Sequence, residues 1–183
     1  MYRVGGHPTH PPTSNHPMEG QLRFKFFMFG ALGLQLLSVQ VSHDLLTRLV
    51  LLSTHPIVIL AAIANARVPG LRLVAAGALL NFIAIAANGG LMPISPEALE
   101  AVGDREIADA VALGDAIPGS KSVLLPEDKM VFPGLVDRFV LDVPVVGSKV
   151  VSIGDLLLTT GLLVATGAVL VRSVAKVASA DHG

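Results

Sequence analysis

Apolar residues in this chain come in runs too long for strands and too unbroken for the half-polar helices of a soluble fold. Four runs approach the length a bilayer demands: 24–41, 45–64, 68–87 and 151–171. A spanning helix needs about 20 mostly apolar residues, because its 1.5 Å rise must cross a hydrocarbon layer about 30 Å thick. The pattern predicts an all-α membrane protein of about four transmembrane helices: a three-helix up-down-up unit, a polar extracytoplasmic cap, and a final helix. Within the first run, Lys25 is placed to snorkel to the interface, and Phe24, Phe26, Phe27 and Phe29 to anchor there. The second run carries Ser53, Thr54, His55 and Pro56 near its middle, and Pro56 should kink it. The third holds Asn81, and the fourth opens on Asp155 and closes on Arg172 and Lys176.

The connections are unequal. His43-Asp44 reads as a tight turn, and the stretch 65–70 as another, with Pro69-Gly70 as its breaker. Roughly 60 residues then separate the third and fourth runs, and they hold ten of the fourteen acidic residues. The domains expected are a flexible cytoplasmic tail over 1–22, three transmembrane helices within 23–90, and the polar cap over 91–150. The fourth helix over 151–172 and a cytoplasmic tail over 173–183 complete them. Inside the cap, Ser95-Pro96-Glu97 supplies an N-cap, a proline at the first helical position and an acid in the first turn. One or two helices should cover 96–113, with Gly114 as the stop. The prolines and glycines beyond it predict turns and extended chain.

Composition strengthens the membrane reading. Of 183 residues, 52% are hydrophobic and 15% charged, and the mean hydropathy is +0.67; a soluble domain carries about 25% charged residues. The net charge of −1 argues against a nucleic-acid partner, which needs a basic face. With no cysteine there is no disulfide, thiolate metal site or Cys nucleophile. Tryptophan is absent and Tyr2 is the one tyrosine, so the aromatic belt is thin. An N-terminus inside puts Arg3, Arg23, Lys25, Arg67, Arg72, Arg172 and Lys176 on the cytoplasmic side and Arg48 alone on the outer short loop. Positive charge favours the cytoplasmic side. The expected location is therefore a bacterial cytoplasmic (inner) membrane, multi-pass, with both termini inside and the cap outside.

Two motifs flank the cap. Asn88-Gly89-Gly90-Leu91-Met92-Pro93-Ile94-Ser95 follows the third run. Leu135-Val136-Asp137-Arg138-Phe139 and then Ser152-Ile153-Gly154-Asp155 lead into the fourth. In this order, around an intervening cap, they resemble a bacterial integral membrane-protein family catalogued as domain of unknown function 5317, over most of residues 22–170. The resemblance implies a bacterial membrane protein and brings no activity with it. It also implies an additional leading span ending in an Arg-Gly-Gly-like turn, of which Arg3-Val4-Gly5-Gly6 is a remnant. The residues themselves suit helix ends. Asn88, Gly89 and Gly90 can take left-handed conformations that close a helix, and Met92-Pro93 turns the chain. Ser152 and Asp155 suit the start of the next helix. The candidate structural or binding residues are thus Asn88, Gly89, Gly90, Met92, Pro93, Asp137, Ser152, Gly154 and Asp155.

Other chemistry is sparse. Gln35, Gln40 and Asn81 are intramembrane polar groups suited to hydrogen bonds between helices. His55 is the one candidate for holding a haem or chlorin, against a plainer role bonded to a neighbouring carbonyl or hydroxyl. His7, His10 and His16 lack metal-site spacing, and no catalytic motif is present. Small residues at Gly30, Gly33, Gly77, 84–87, Gly161 and Gly167 offer faces for close helix approach. The expected function is a non-catalytic multi-pass membrane subunit that packs against and stabilises a larger bacterial membrane complex. Its partners would be the lipid bilayer and other membrane-protein subunits, with no metal or cofactor. A small-molecule or lipid binder, a transporter or a membrane enzyme working through the two motifs is the alternative, and a pigment- or haem-bearing subunit a weaker one.

Overall fold

The structure, a computed structural model, describes residues 44–144 and 147–180 and the helical positions Gly30, Gly33, Leu34 and Leu37. The expected N-terminal tail, and Gln35 and Gln40 of the first apolar run, lie outside the described residues. Helix α1 spans Asp44–Ala64 and includes Pro56; α2 spans Leu71–Ala87. They match the second and third apolar runs, except that α2 starts three residues late. The reason is Gly70, which sits at φ 89° and ends the turn rather than joining the helix. The last helix, α5, spans Ile153–Ala180 and so runs well into the expected 173–183 tail. Two helices, α1 over Leu45–Ala64 and α5 over Ile153–Arg172, are long and apolar enough to cross a membrane, whereas α2 is a shorter apolar helix.

The chain is mostly helical but not all-α. Between α2 and α5 lie β1 (Met92–Ile94), α3 (Pro96–Ala101), α4 (Arg105–Ala110), β2 (Ser122–Leu124), a 3-10 turn (Glu127–Lys129), β3 (Phe139–Val143) and β4 (Gly147–Val151). Helix α3 forms where its start signal lies, with Ser95 accepting the Ala98 N–H at 3.2 Å. Helix α4 stops at Ala110, ahead of Gly114. Gly114 instead donates its N–H to the Leu124 carbonyl and helps hold β2. The stretch expected as turns also contains two two-stranded sheets. In the first, β1 and β2 pair in parallel, Met92 opposite Ser122 and Ile94 opposite Leu124. The α3–α4 segment is the crossover that parallel pairing needs. The other edge of β1 meets Asp137, whose N–H donates to the Pro93 carbonyl at 3.2 Å. In the second sheet, β3 and β4 form an antiparallel hairpin of Val-rich sequence, which suits extended backbone.

Helix α2 is the middle of the bundle and packs against both α1 and α5. The α2–α5 contact is close because glycines face each other at matching seven-residue spacing. A Cβ on Gly77 would sit 2.5 Å from the Gly154 carbonyl oxygen, and one on Gly161 would sit 2.7 Å from that of Gly70. Val58, Ala62, Leu71, Val74, Ala78 and Ala165 complete this core. A second core of Leu51, Ala84, Ile85, Leu91, Met92 and Val123 joins the cap-side ends of α1 and α2 to the first sheet.

The two glycine pairs also set an axial offset. Helix α5 begins beside the middle of α2, about 15 Å short of the C-terminal end of α2 at 1.5 Å per residue. The cap therefore fills a notch beside the C-terminal half of α2 instead of resting on its end. At the other end α5 outruns the 65–70 turn. From Gly161, opposite Gly70, it continues to Ala180, about 28 Å further. Val169, Leu170, Val171 and Val174 on that extension are exposed.

Candidate functional site

Polar side chains gather at two places where the cap meets the helices. The first is the C-terminal end of α2. Asn88 ends that helix, and its Nδ2 donates to the Ala84 carbonyl at 2.7 Å and to the Val131 carbonyl at 2.9 Å. Its Oδ1 accepts the Val131 N–H at 2.8 Å. One side-chain amide thus reads both polar groups of a residue 43 positions away. Gly89 and Gly90 follow at φ 79° and 96°, and the Gly90 N–H returns to the Ile85 carbonyl at 2.8 Å, closing the helix end. Arg48 of α1 donates to the Gly89 carbonyl. A cation at a helix C-terminus is favoured by the helix dipole. Met92 and Pro93 are fully buried beneath this turn.

The second place is the start of α5. Ser152 and Asp155 form a reciprocal cap: Ser152 Oγ accepts the Asp155 N–H at 3.0 Å, and Asp155 Oδ2 accepts the Ser152 N–H at 3.2 Å. Asn81, in α2, reaches both. Its Oδ1 accepts from Ser152 Oγ at 2.8 Å and its Nδ2 donates to Asp155 Oδ1 at 2.7 Å. Gly154 allows that reach, because a Cβ there would collide with the Asn81 amide. Lys121, just before β2, completes the cluster with an ion pair to Asp155 at 3.1 Å.

Asp137 lies beside this cluster and is buried, 4% exposed. Its Oδ2 is 3.5 Å from Ser122 Oγ, and its Oδ1 has no hydrogen-bond partner among the described residues. Burial and the neighbouring Asp155 push its carboxyl up, Lys121 pulls it down, and the balance is about 6. Burial works against the Lys121 charge, but Asp137 and then Asp155 outweigh it, so its pKa is raised. Two carboxyl groups therefore share one lysine, and Asp137 is the one that gains or loses a proton near neutrality.

The candidate residues divide accordingly. Asn88, Gly89 and Gly90 serve the first place, with Met92 and Pro93 in the strand that leads away. Asp137, Ser152, Gly154 and Asp155 meet at the second. Asn81 was legible only as a polar residue in an apolar run. Lys121 and Ser122 carried no signal, lying in an ordinary loop-like stretch of the sequence. Arg48 was legible as an interface charge, not as a cap. His55 is buried in α1; its Nδ1 donates to the Leu51 carbonyl at 2.7 Å, and its ring centroid lies 6.5 Å from that of Phe82. No group of three or more metal-binding side chains is assembled among the described residues. A cavity of about 250 Å³ opens in the cap near α3, lined by Ser95, Glu97, Glu127, Met130, Asp137 and Arg138 among others.

Fold and site together define a mostly helical protein with two helices able to cross a membrane and a polar cap joined to them through side-chain hydrogen bonds and an ion pair. A model of the family of unknown function DUF5317 matches residues 21–166, and the chain belongs to that family. No curated protein and no solved structure matches it.

Proposed function

We propose that this chain is a non-catalytic, multi-pass subunit of a bacterial cytoplasmic membrane that packs against other membrane proteins. The observation that carries this reading is the axial offset of α5. Arg48 near one end of α1, and Arg67 and Arg72 at the opposite turn, bracket about one hydrocarbon thickness. A bilayer set by these arginines leaves the exposed Val169, Leu170, Val171 and Val174 of α5 beyond its inner face. A bilayer set by α5 buries exposed Arg67 and Arg72 in lipid, which costs several kcal/mol. Lipid alone matches neither arrangement, and a protein surface over the α5 extension resolves the conflict. The chain's own 24–41 run would supply one further helix, enough for one face of α5, and another subunit supplies the rest. Asn88, Ser152 and Asp155 support this reading, since their side chains bond helix ends, Asn81 and the cap.

In this reading four helices cross the membrane, with both termini inside and the cap outside. The absence of cysteine makes single-Cys labelling clean. Glu100→Cys should react with an impermeant maleimide from outside, and Arg67→Cys only after the membrane is opened. Purification in gentle detergent should bring stoichiometric partner subunits; a lone, well-behaved monomer would overturn the proposal.

A second reading, a binder or transporter of a small molecule or lipid, draws on the cavity beside Asp137. Native mass spectrometry separates the two, because a binder runs alone with a small-molecule mass that Met130→Trp removes. An absorption spectrum of the same preparation tests a haem or chlorin on His55.

A further inference from the structure

The cap carries an exposed apolar tip whose side chains take no part in the contacts above. Val131, Phe132, Pro133 and Gly134 are four consecutive exposed residues, with Val131 at 45% and Phe132 at 53% exposure. They are bracketed by buried Met130 and Val136. The tip is held out by its backbone. Asn88 grips both polar groups of Val131, the Leu135 N–H donates to the Phe132 carbonyl at 2.8 Å, and Arg138 donates to the Pro133 carbonyl at 3.3 Å. Phe132 is the single non-glycine residue with positive φ among the described residues, at 57°. A bulky side chain is strained there, where glycine would not be. A large apolar ring is thus kept in a strained conformation and pointed away from the core.

The location says what covers it. Asn88 ends the apolar helix α2, and Arg48 of α1 docks on the next residue, Gly89. The outer boundary of the hydrocarbon, as drawn by Arg48, therefore passes through the place where the tip is clamped. Leu45 and Leu49, on the same turn of α1, are also exposed. A two-residue tip is too small for a stable protein interface, which needs about 800 Å² on each side. It suits the acyl–headgroup boundary, where aromatic rings and aliphatic tips sit. Tryptophan is absent, and Phe132 offers an anchor in its place.

We propose that the Val131–Phe132 tip inserts into the outer leaflet at the headgroup boundary and anchors the cap to the lipid surface. This rests on the reading that α1 crosses the bilayer, and the experiment tests the two separately. The full chain has no tryptophan, so Phe132→Trp and Leu60→Trp each report one site. Each is reconstituted into nanodiscs of phosphatidylcholine brominated either high on the acyl chain or near its end. Trp at 60, an exposed mid-helix position, should be quenched best by deep bromine. Trp at 132 should emit at shorter wavelength than in detergent-free denaturant and lose intensity chiefly to shallow bromine. Quenching at 60 with none at 132 overturns the tip proposal and leaves α1 in the membrane. Absence of quenching at both overturns the membrane reading itself. Should Phe132→Trp fail to fold, Val131→Trp takes its place with the same expected outcomes.

Discussion

Asn88 shows how one side chain can join two parts of the chain. Three hydrogen bonds leave its amide, two of them to the peptide groups of Val131. Truncation hands the exposed Val131 groups to water, so each lost bond costs its net worth of about 0.5–1.5 kcal/mol. Asn88→Ala should therefore lower the thermal midpoint in detergent, and Asn88→Asp should restore little, since a carboxylate accepts the Val131 N–H but repels its carbonyl. Asp137 makes a prediction about pH. Its folded pKa of about 6 lies above the ordinary 3.8. Its contribution to stability is thus complete below about pH 4 and is lost as pH rises through 6. The loss is on the order of 3 kcal/mol by the linkage of proton binding to folding. Asp137→Asn cannot ionise, so it should gain in stability over the wild type as pH rises from about 4 to about 7. Parallel thermal melts of the two proteins check this; curves that keep a constant separation would refute it. Asn88 was legible in the sequence as a helix-ending residue, because that role needs only its neighbours. Its grip on Val131 was not, since nothing local marks the partner.

At the scale of elements, the contact between α2 and α5 depends on glycine at facing positions. Gly154→Ala should be destabilising beyond the 1–3 kcal/mol usual for overpacking, because its Cβ would meet both the Asn81 amide and, at 2.8 Å, the Gly77 carbonyl. Gly167→Ala is the contrast. A Cβ there has nothing within 4 Å, so helix propensity alone acts, a gain of about 0.5–1 kcal/mol. Circular-dichroism melts of both variants in detergent compare them. The glycines were visible in the sequence as small residues suited to close approach. Which of them face a neighbour depends on how α2 and α5 pair, and that pairing leaves Gly161 inside and Gly167 outside. The strands escaped the sequence reading for a related reason. Segments of three to five residues between prolines and glycines carry too little periodicity to separate extended chain from turn.

For the molecule as a whole, the offset of α5 makes its extension past the 65–70 turn, with Leu170, Val171 and Val174 exposed, the surface that the proposed partner would cover. Gly167→Leu should leave the fold of the isolated chain intact and its thermal midpoint no lower, since leucine shares alanine's helix propensity and has open space there, yet reduce the partner subunits recovered with it, as read by quantitative mass spectrometry of the purified complex. Equal recovery would show that this face meets lipid. The apolar runs and the start signal at Ser95-Pro96 were decided by the sequence alone. Hydropathy over 20 residues and the chemistry of one helix end are local properties, and no distant contact is strong enough to reverse them. The axial offset, the notch that the cap fills, and the cluster of Asn81, Lys121, Asp137, Ser152 and Asp155 were decided only in three dimensions. Asn81 and Asp155 are 74 positions apart, and Lys121 and Asp155 are 34 apart. Their meeting follows from which glycines interlock, and interlocking depends on shape across two helices at once.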